Sequence, residues 1–421
     1  MRVGIIGGGI TGLALTHALA RLGVDSILFE SSEEVGGVIR TARPDGRVVE
    51  LGPQRTRLVA PVRRLVDELD LGAEILEARP GARLFIWAAE RLRMVPSRPG
   101  ALLTGDLLSP RGRARAALEP LTRGLRSGES VARYFRRKAG GEAYRRLFGP
   151  LISATFGSDP ETMPASRVLP MLLDPLGVKR SLLAAARRRR PGDTPRACTF
   201  RAGMSTLPRA IAARHAGRVR FPAPVEEVRR SGRGFEIAHD GASPGSEVVD
   251  DVVLTVPAPE AARLLRTVAP GAADRLARLR YNRIAVCPLG VERAGEGFGF
   301  QVALGESWRT RGVTWNASLF GRDGVCTAYL GGGLDPEVAG WDSGRLESTA
   351  AAEYEAIHGA AASPICTARP RLPAYDASWG VLDGLELPRG ITLAAGYTGR
   401  LGISSRIAEA EAVALRLAAK R

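Results

Sequence analysis

Cysteine and histidine are scarce in this 421-residue chain, with four residues of each. The cysteines lie far apart and form no CxxC pair, which excludes a disulfide framework or a zinc site as the organising device. No metal site is therefore expected. None of the histidines stands in a pattern typical of a general base, so the sequence assigns no catalytic side chain.

Long apolar runs are also missing, since none reaches the roughly 20 residues of a transmembrane helix. Strand-like sequence begins directly after Met1 and Arg2, so neither a signal nor a transit peptide is expected. Together these absences predict a cytoplasmic protein. Between about 97 and 200, apolar stretches stand beside many arginines. That region leaves three readings open: peripheral membrane contact, a pocket roof or a homodimer face.

Lysine is nearly absent, with Lys138, Lys179 and Lys420 as its only examples. Lys and Arg together number 60 against 44 Asp and Glu, so arginine supplies nearly all of the +16 net charge. A compositional bias explains this excess, and so does an anionic partner. Aromatic residues make up only 5% and do not alternate with the arginines, so no nucleic-acid partner is expected.

The first thirty residues carry the most informative pattern. An apolar run predicts a strand over Arg2–Ile6, and helical periodicity begins at Thr11 and continues to Leu22. The glycines between them have the GxGxxG spacing that gives a tight turn, close approach of a pyrophosphate and close helix packing. The helix N-terminus then offers N–H groups to the phosphates. The residues predicted to bind the cofactor here are Gly7, Gly9, Ile10, Thr11 and Gly12.

A carboxylate follows at the expected distance. A second strand is predicted over Asp25–Phe29 and ends in Glu30, 18 residues after Gly12. A carboxylate at this point accepts hydrogen bonds from ribose hydroxyls and disfavours a phosphorylated ribose. Glu30 and the adjacent Ser31 are therefore predicted to bind the cofactor.

A second glycine pair favours FAD over a nicotinamide. The stretch SSEEVGGVIRT, residues 31–41, resembles the GG motif of the FAD-dependent amine oxidase and desaturase superfamily. In such proteins the pyrophosphate and ribityl chain of an extended FAD run along this loop, which implicates Gly36, Gly37 and Val38. The resemblance implies FAD bound without a covalent link.

The chain closes with a second strand, glycine turn and helix. In ITLAAGYTGRLGISSRIAEAEAVALRLAAK, residues 391–420, the resemblance places Gly396, Gly402 and Ile403 against the flavin. A helix N-terminus near a flavin carbonyl would stabilise negative charge on the reduced ring. The alternative is a C-terminal helix that only caps the sheet.

Five ordered blocks resemble the FAD-dependent, oxygen-using protoporphyrinogen and coproporphyrinogen oxidases. They are VVELGPQRTRL (48–58), PLISATFGSDPETMPASRVLPML (150–172), FRAGMSTLPRAIA (200–212), EGFGFQVAL (296–304) and VTWNASLFGR (313–322). The implied fold is α/β, with a discontinuous Rossmann-like FAD-binding domain, an α+β substrate domain and a helical insertion. The expected parts are 1–76, 201–257 and 385–421 for the FAD-binding domain, 77–96 and 258–384 for the substrate domain, and 97–200 for the helical domain.

The resemblance also implies a reaction and further site residues. A tetrapyrrole with unconjugated bridging carbons would lose hydride to the flavin, and O2 would reoxidise the flavin. Gly52, Pro53 and Val225 are added to the cofactor residues. The residues assigned to substrate are Arg98, for a propionate, Phe156 and Gly157, for the pyrrole N–H groups, and Phe300 and Phe320, for ring stacking.

Other functions stay open at this point. Many amine oxidases of the superfamily hold a water with a substrate-domain lysine, and no lysine occurs between Lys179 and Lys420. A carotenoid-type desaturase shares the N-terminal motifs, but it matches the ELGP and FGSDPE blocks less well. A third alternative is a flavin- or tetrapyrrole-carrying protein without turnover. Departures from the family pattern include Arg201, Gln301, Ser405 and Ala410.

Overall fold

The computed structural model describes residues 1–96, 101, 104–174, 177–178, 181–188, 195–241, 244–322 and 324–420. The strands in these ranges are β1 (Arg2–Ile6), β2 (Asp25–Phe29), β3 (Thr41–Ala42), β4 (Val49–Glu50), β5 (Thr56–Arg57), β6 (Ile75–Glu77), β7 (Leu84–Ala88), β8 (Arg91–Met94), β9 (Ala197–Phe200), β10 (Val219–Arg220), β11 (Val225–Ser231), β12 (Gly234–His239), β13 (Gly245–Val249), β14 (Asp251–Leu254), β15 (Tyr281–Val291), β16 (Gly299–Val302), β17 (Thr310–Thr314), β18 (Val325–Gly331), β19 (Ala362–Pro364), β20 (Arg371–Pro373) and β21 (Ile391–Leu393).

The α-helices of five or more residues are α1 (Ile10–Arg21), α2 (Ala60–Glu68), α3 (Pro110–Ala117), α4 (Val131–Ala139), α5 (Gly149–Phe156), α6 (Ala165–Leu173), α7 (Leu182–Arg188), α8 (Thr206–Arg214), α9 (Ala258–Leu265), α10 (Pro270–Leu276), α11 (Asn316–Phe320), α12 (Ser343–His358) and α13 (Ile403–Ala418). A short helical turn (Gly141–Ala143) and a π-helical turn (Tyr144–Phe148) lead into α5.

A parallel sheet of five strands forms the first layer, in the order β10-β2-β1-β14-β21. Its strands come from three stretches of the chain that are far apart in sequence. The predicted bounds of β1 and β2 are confirmed, and α1 begins one residue earlier than predicted. Helices α1 and α13 cover one face with a shared apolar core that includes Leu13, Leu19, Ile407 and Val413. The predicted α/β class, with a Rossmann-like sheet, is confirmed.

The other face of this sheet carries an antiparallel meander of β11, β12 and β13. A Cβ atom at Gly4 would lie 2.3 Å from Cδ1 of Ile237, so the two sheets touch closely at this point. The stretches VRFPAPVEEVRR, GFEIAHDG and DDVVLTVPAP predict three strands, which are present as β11, β12 and β14. Strand β13 is not predicted. The five residues of β13 read GSEVV, and all but Val249 remain partly or fully exposed, so the apolar alternation that marks a strand is weak there.

A larger mixed sheet forms the second body of the fold. Its strands follow the order β19-β15-β18-β17-β16-β7-β8, with β20 also paired to β15. Strand-like alternation over 83–95 predicts a hairpin with its turn near Ala89 and Glu90. The hairpin is present as β7 and β8, and these two turn residues have φ of 49° and 60°. Helix α12 packs on this sheet through a core that contains Trp315 and Tyr354.

The predicted helical region is present as α3 to α7, and it is held together partly by a buried ion pair. Lys138 Nζ lies 2.7 Å from Glu119 Oε1, and Glu119 also accepts hydrogen bonds from Ser181 and Leu182. The region ends in strand β9, which forms a small antiparallel sheet with β5 and β6. In the described ranges, no helix combines the length and apolar character that crossing a bilayer requires.

Candidate functional site

The glycine loop between β1 and α1 is closely packed on one side and open on the other. Gly7 has φ of +112°, and a Cβ at Gly12 would lie 2.1 Å from the carbonyl oxygen of Gly7. A Cβ at Gly9 would have no heavy atom within 4 Å. Gly9 caps α1 without a side-chain hydrogen bond, and the first turn carries no acidic residue. The first-turn N–H groups of Ile10, Thr11 and Gly12 therefore suit an anion in that open space.

Glu30 lies against this loop at the end of β2, and only 8% of it is exposed. Its Oε2 accepts the N–H of Gly8 at 2.7 Å, while Oε1 accepts the N–H of Ser32 at 2.8 Å and the hydroxyl of Ser31 at 3.3 Å. The Glu30 carbonyl also accepts the N–H of Ala223 at 2.7 Å, two residues before the buried Val225. The carboxylate predicted to hold ribose is thus fixed beside the phosphate loop.

The second glycine pair packs directly on the first loop. Gly36 donates its N–H to the carbonyl of Gly8 at 2.8 Å and has φ of +121°. A Cβ at Gly37 would lie 3.3 Å from Cα of Gly9. The next residue, Val38, is crossed by a third loop, because a Cβ at Gly52 would lie 1.9 Å from the Val38 carbonyl oxygen. Glycine is required where these backbones cross.

The C-terminal helix begins at the same edge of the parallel sheet. Strand β21 pairs with β14, and the N–H of Ala394 donates to the carbonyl of Leu254 at 3.0 Å. Gly402 caps α13 with φ of +99°, without a side-chain hydrogen bond and without an acid in the first turn. Cβ atoms at Gly402 and Gly396 would have no heavy atom closer than 4.0 Å. An extended dinucleotide therefore fits this edge of the sheet. It would meet the uncapped N-termini of α1 and α13, the open side of the glycine loop at Gly9, and Glu30.

A cavity of about 540 Å³ lies between these loops, the end of α5 and the mixed sheet. Val38, Gly52 and Pro53 form part of its wall, so it adjoins the predicted cofactor loops. Val38 leaves 47% of its surface exposed. The sheet side of the lining is mostly apolar or small. It includes Ile284, Val286, Val302, Val313, Leu330 and Leu372.

The described lining of the cavity contains two charged side chains, and both are arginines. It contains no carboxylate. Arg311 is ion-paired, with its guanidinium 3.0 Å from Asp335, which also pairs with Arg309. Arg55 instead lies over the ring of Phe298, with its guanidinium carbon 4.0 Å from the ring centroid. Burial lowers the pKa of Arg55 to about 10, an effect that nearby Arg57 adds to and Tyr329 partly opposes.

A buried hydrogen-bond network fixes the loop that carries Arg55. Gln54 donates to the carbonyls of Glu50 and Gly52 at 3.1 and 3.0 Å. Its side-chain oxygen accepts hydrogen bonds from Asn316 at 3.0 Å and Thr327 at 3.2 Å. Loop and mixed sheet are thereby joined behind the cavity wall.

Gln54, Arg55 and Asn316 stand within the VVELGPQRTRL and VTWNASLFGR blocks, but the sequence pattern does not distinguish them from their neighbours. Arg55 and Arg311 were hidden by the general excess of arginine. Thr255 was also missed, although its hydroxyl donates to the carbonyls of Ile6 and Gly7 at 2.9 and 2.8 Å and fixes the first glycine turn. A threonine at a strand end carries no distinctive sequence signal.

The residues predicted for substrate lie in different places. Gly157 lines the cavity, but its carbonyl already accepts hydrogen bonds from Asn282 and Gly333, both at 2.9 Å. Phe156 is buried and packs edge-on against Tyr375. Phe300 is fully buried behind the sheet, where alternation along β16 turns its neighbour Gln301 to the cavity instead. Arg98 lies outside the described residues.

Phe320 completes this group. It is buried in a small apolar cluster beside Leu319 and is not part of the described cavity lining. Two aromatic side chains are among the described cavity lining: Phe298, which lies under Arg55, and Tyr329. The assignments of Phe156, Phe300 and Phe320 to substrate stay predictions, and their positions favour a packing role.

Comparison with known proteins agrees with this architecture. Residues 10–381 match the family described as flavin containing amine oxidoreductase, and the chain belongs to that family. It is 29% identical over 378 residues to the chloroplastic protoporphyrinogen oxidase 1 of Spinacia oleracea, across 79% of this chain and 67% of the spinach protein. It is 25% identical over 351 residues to the coproporphyrinogen III oxidase of Bacillus subtilis (strain 168), across 74% of this chain and 72% of that protein.

Solved structures show the same fold. A structure from Exiguobacterium sp. 255-15, itself only provisionally assigned as a protoporphyrinogen oxidase, superposes with a TM-score of 0.81 at 21% identity, over 100% of this chain and 99% of that one. Wild-type putrescine oxidase bound to putrescine gives 0.73 at 15% identity, over 100% and 99%. The protein is therefore a flavin-dependent oxidoreductase of the amine oxidase family. Its resemblance to porphyrinogen oxidases, stated from the motifs, is confirmed as homology.

Proposed function

We propose that this protein oxidises a porphyrinogen, protoporphyrinogen IX or coproporphyrinogen III, to the corresponding porphyrin, with FAD as cofactor and O2 as electron acceptor. The observation that carries the proposal is the charge of the cavity. Its described lining holds two arginines and no carboxylate, and the rest is largely apolar. Such a cavity suits a flat apolar macrocycle with anionic propionates.

The same charge pattern argues against an amine substrate, although the family is named after amine oxidases. A protonated amine would meet the guanidinium of Arg55, which pairs with no described carboxylate, whereas Arg311 is balanced by Asp335. Placing like charges side by side in a binding site costs several kcal/mol. A polyene of the kind that desaturases oxidise carries no charge, so it would leave the half-buried Arg55, which pairs with no described carboxylate, without a counter-ion.

The cofactor assignment rests on the loops next to the cavity. Glu30 would accept hydrogen bonds from ribose hydroxyls, and the uncapped N-termini of α1 and α13 would interact with the phosphate and flavin ends of an extended FAD. When bound, FAD supplies a hydride acceptor that O2 can reoxidise. Val38, Gly52 and Pro53 would form the boundary between cofactor and substrate.

The residues of the chain bind and orient rather than transfer protons. The described lining contains no histidine, lysine, aspartate or glutamate, so we assign no side chain as a base. Each two-electron step removes a hydride and a proton from the substrate and reduces one O2 to H2O2. Three such steps convert the porphyrinogen into the aromatic porphyrin. The apolar walls exclude water from the reacting carbon.

The test is turnover in air by the full-length, FAD-loaded protein. Freshly reduced coproporphyrinogen III and protoporphyrinogen IX are supplied in parallel, and porphyrin fluorescence and H2O2 are followed. Putrescine and benzylamine serve as amine substrates. We expect porphyrin formation above autoxidation, with about three H2O2 per porphyrin, and no amine oxidation. Oxidation of the amines, or porphyrin formation no faster than without protein, would overturn the proposal.

A further inference from the structure

We propose that Arg55 is the binding residue for one carboxylate of the substrate, and that Phe298 holds its guanidinium plane in position. The inference deepens the proposed function and rests on it, since it assigns a substrate carboxylate to one place in the cavity. No sequence motif pointed to Arg55, which is one arginine among many in a strongly basic chain.

The first argument is the missing counter-ion. Arg55 lines the cavity, and no carboxylate of the described residues pairs with it. The other cavity arginine, Arg311, is paired with Asp335 at 3.0 Å. Removing a guanidinium from water without a partner is costly. An anionic ligand that enters the cavity removes this cost, whereas a neutral or cationic ligand does not.

The second argument is the geometry around the guanidinium. Phe298 covers one face at 4.0 Å, which leaves the N–H edge for a ligand. A guanidinium edge binds a carboxylate with two parallel hydrogen bonds. Phe298 is itself fixed, because its N–H donates to the carbonyl of Arg83 at 2.7 Å and its carbonyl accepts the N–H of Trp315 at 3.2 Å.

The third argument is the rigid connection between Arg55 and the cofactor loops. Arg55 follows Pro53 by two residues and Gly52 by three. It stands next to Gln54, which is buried and bonded to four partners. A carboxylate held by Arg55 is therefore held at a fixed offset from Gly52 and Pro53. Arg55 orients the macrocycle relative to the cofactor without contacting the reacting carbon, so it is a positioning residue.

The experiment compares binding of an acid and its ester. Coproporphyrin III, which carries four propionates, and its tetramethyl ester are titrated into the FAD-loaded wild type, Arg55→Met, Arg55→Lys and Arg91→Met. Arg91 is an exposed arginine on β8, so Arg91→Met removes the same charge away from the cavity. Binding is read from porphyrin fluorescence, and the visible flavin spectrum reports the cofactor.

We expect Arg55→Met to weaken coproporphyrin III binding by about 30-fold or more. Its affinity for the ester should equal or exceed that of wild type, because a neutral ligand leaves the Arg55 guanidinium without a counter-ion. Arg91→Met should match wild type for both ligands. Arg55→Lys should recover part of the loss, because it restores the charge but not the bidentate edge. In turnover, Arg55→Met should raise KM while kcat changes by less than about threefold, with an unaltered flavin spectrum.

Two results would overturn the assignment. One is equal binding of the acid by Arg55→Met and wild type. The other is an equal loss for acid and ester, or loss of FAD, which would mean that Arg55 supports the fold or the cofactor. Failure of the proposed function looks different, because wild type would then oxidise neither porphyrinogen. In that case titration with benzoate, read from the flavin spectrum, still decides whether Arg55 binds a carboxylate.

Discussion

Arg322 donates to Oε1 of Glu50 over 2.9 Å, and both side chains are almost completely buried. Glu50 also accepts hydrogen bonds from the Thr41 hydroxyl at 2.6 Å and from the N–H of Met204 at 3.0 Å. Burial raises the pKa of Glu50, while Arg322 and these hydrogen bonds act in the opposite direction. The pair joins the chain leading to Gly52 with the mixed sheet, and so fixes the wall between the cofactor loops and the cavity.

Loss of Arg322 should destabilise the protein strongly. Arg322→Met leaves Glu50 buried without its cation, which costs about 3–5 kcal/mol of unfolding free energy. Adding Glu50→Gln should recover much of the loss, because a neutral amide needs no counter-charge. Denaturant unfolding of the cofactor-free protein measures both variants. A single variant within 1 kcal/mol of wild type would show that the pair does not support this wall.

The two glycines of the first loop should respond differently to alanine. Gly12→Ala puts a methyl group 2.1 Å from the Gly7 carbonyl and should disrupt the loop, lowering both stability and FAD content. Gly9→Ala puts it into open space, where the pyrophosphate is expected, so FAD content should fall while cofactor-free stability stays near wild type. Flavin absorbance per protein and thermal unfolding give the two readouts. Full FAD content in Gly9→Ala would mean that the open space at Gly9 does not bind the pyrophosphate of FAD.

Replacing Arg55 should not destabilise the ligand-free protein. Burial lowers the pKa of Arg55 to about 10, and no carboxylate of the described residues pairs with it. The charged form is therefore less favourable in the folded than in the unfolded chain. We expect Arg55→Met to leave the thermal midpoint unchanged or raise it by a few degrees, as is common where a site trades stability for function. A markedly lower midpoint would show that Arg55 is a structural residue.

The free energy of unfolding should also fall as the pH is lowered, because of a cluster formed by His17, His215 and Glu68. His17 Nδ1 lies 3.0 Å from His215 Nε2, and His17 Nε2 lies 2.7 Å from Glu68. Burial lowers the pKa of His215 to about 4, and the neighbouring His17 adds to the shift. The unfolded chain therefore binds an extra proton between about pH 6.5 and pH 4. This contribution to stability is present above pH 6.5 and is lost as the pH falls toward 4.

Comparison with His215→Gln isolates this effect. The wild-type unfolding free energy should fall more steeply than that of His215→Gln between pH 6.5 and pH 4, by about 1–2 kcal/mol after allowance for partial exposure. Denaturant titrations at several pH values provide the curves. Parallel curves for the two proteins would contradict the shift.

The sequence was sufficient for the elements whose local pattern and tertiary position agree. The bounds of β1 and β2, the glycine loop after Ile6 and the hairpin with its turn at Ala89 follow from short-range apolar periodicity and turn chemistry. The contacts between Glu30 and Gly8 and between Gly36 and Gly8 agree with the predicted arrangement of these motifs.

The lining of the cavity could not be predicted from short-range sequence patterns. Its wall joins Arg55 to Phe298, residues that are more than 240 positions apart. Whether an arginine pairs with a carboxylate depends on tertiary contacts: Arg311 pairs with Asp335, whereas Arg55 pairs with no carboxylate in the described part of the chain. Likewise, strand alternation decides that Gln301 rather than Phe300 faces the cavity. These relationships appear only when distant strands are assembled.

The most direct test of the central claim is reduction of the bound flavin by a porphyrinogen without oxygen. The FAD-loaded protein is mixed anaerobically with a small excess of coproporphyrinogen III, and in parallel with protoporphyrinogen IX, while the visible flavin absorbance is recorded. The account predicts that the absorbance bleaches within the time of one turnover and returns when air is admitted, with porphyrin fluorescence appearing. A flavin that stays oxidised with both substrates would contradict it.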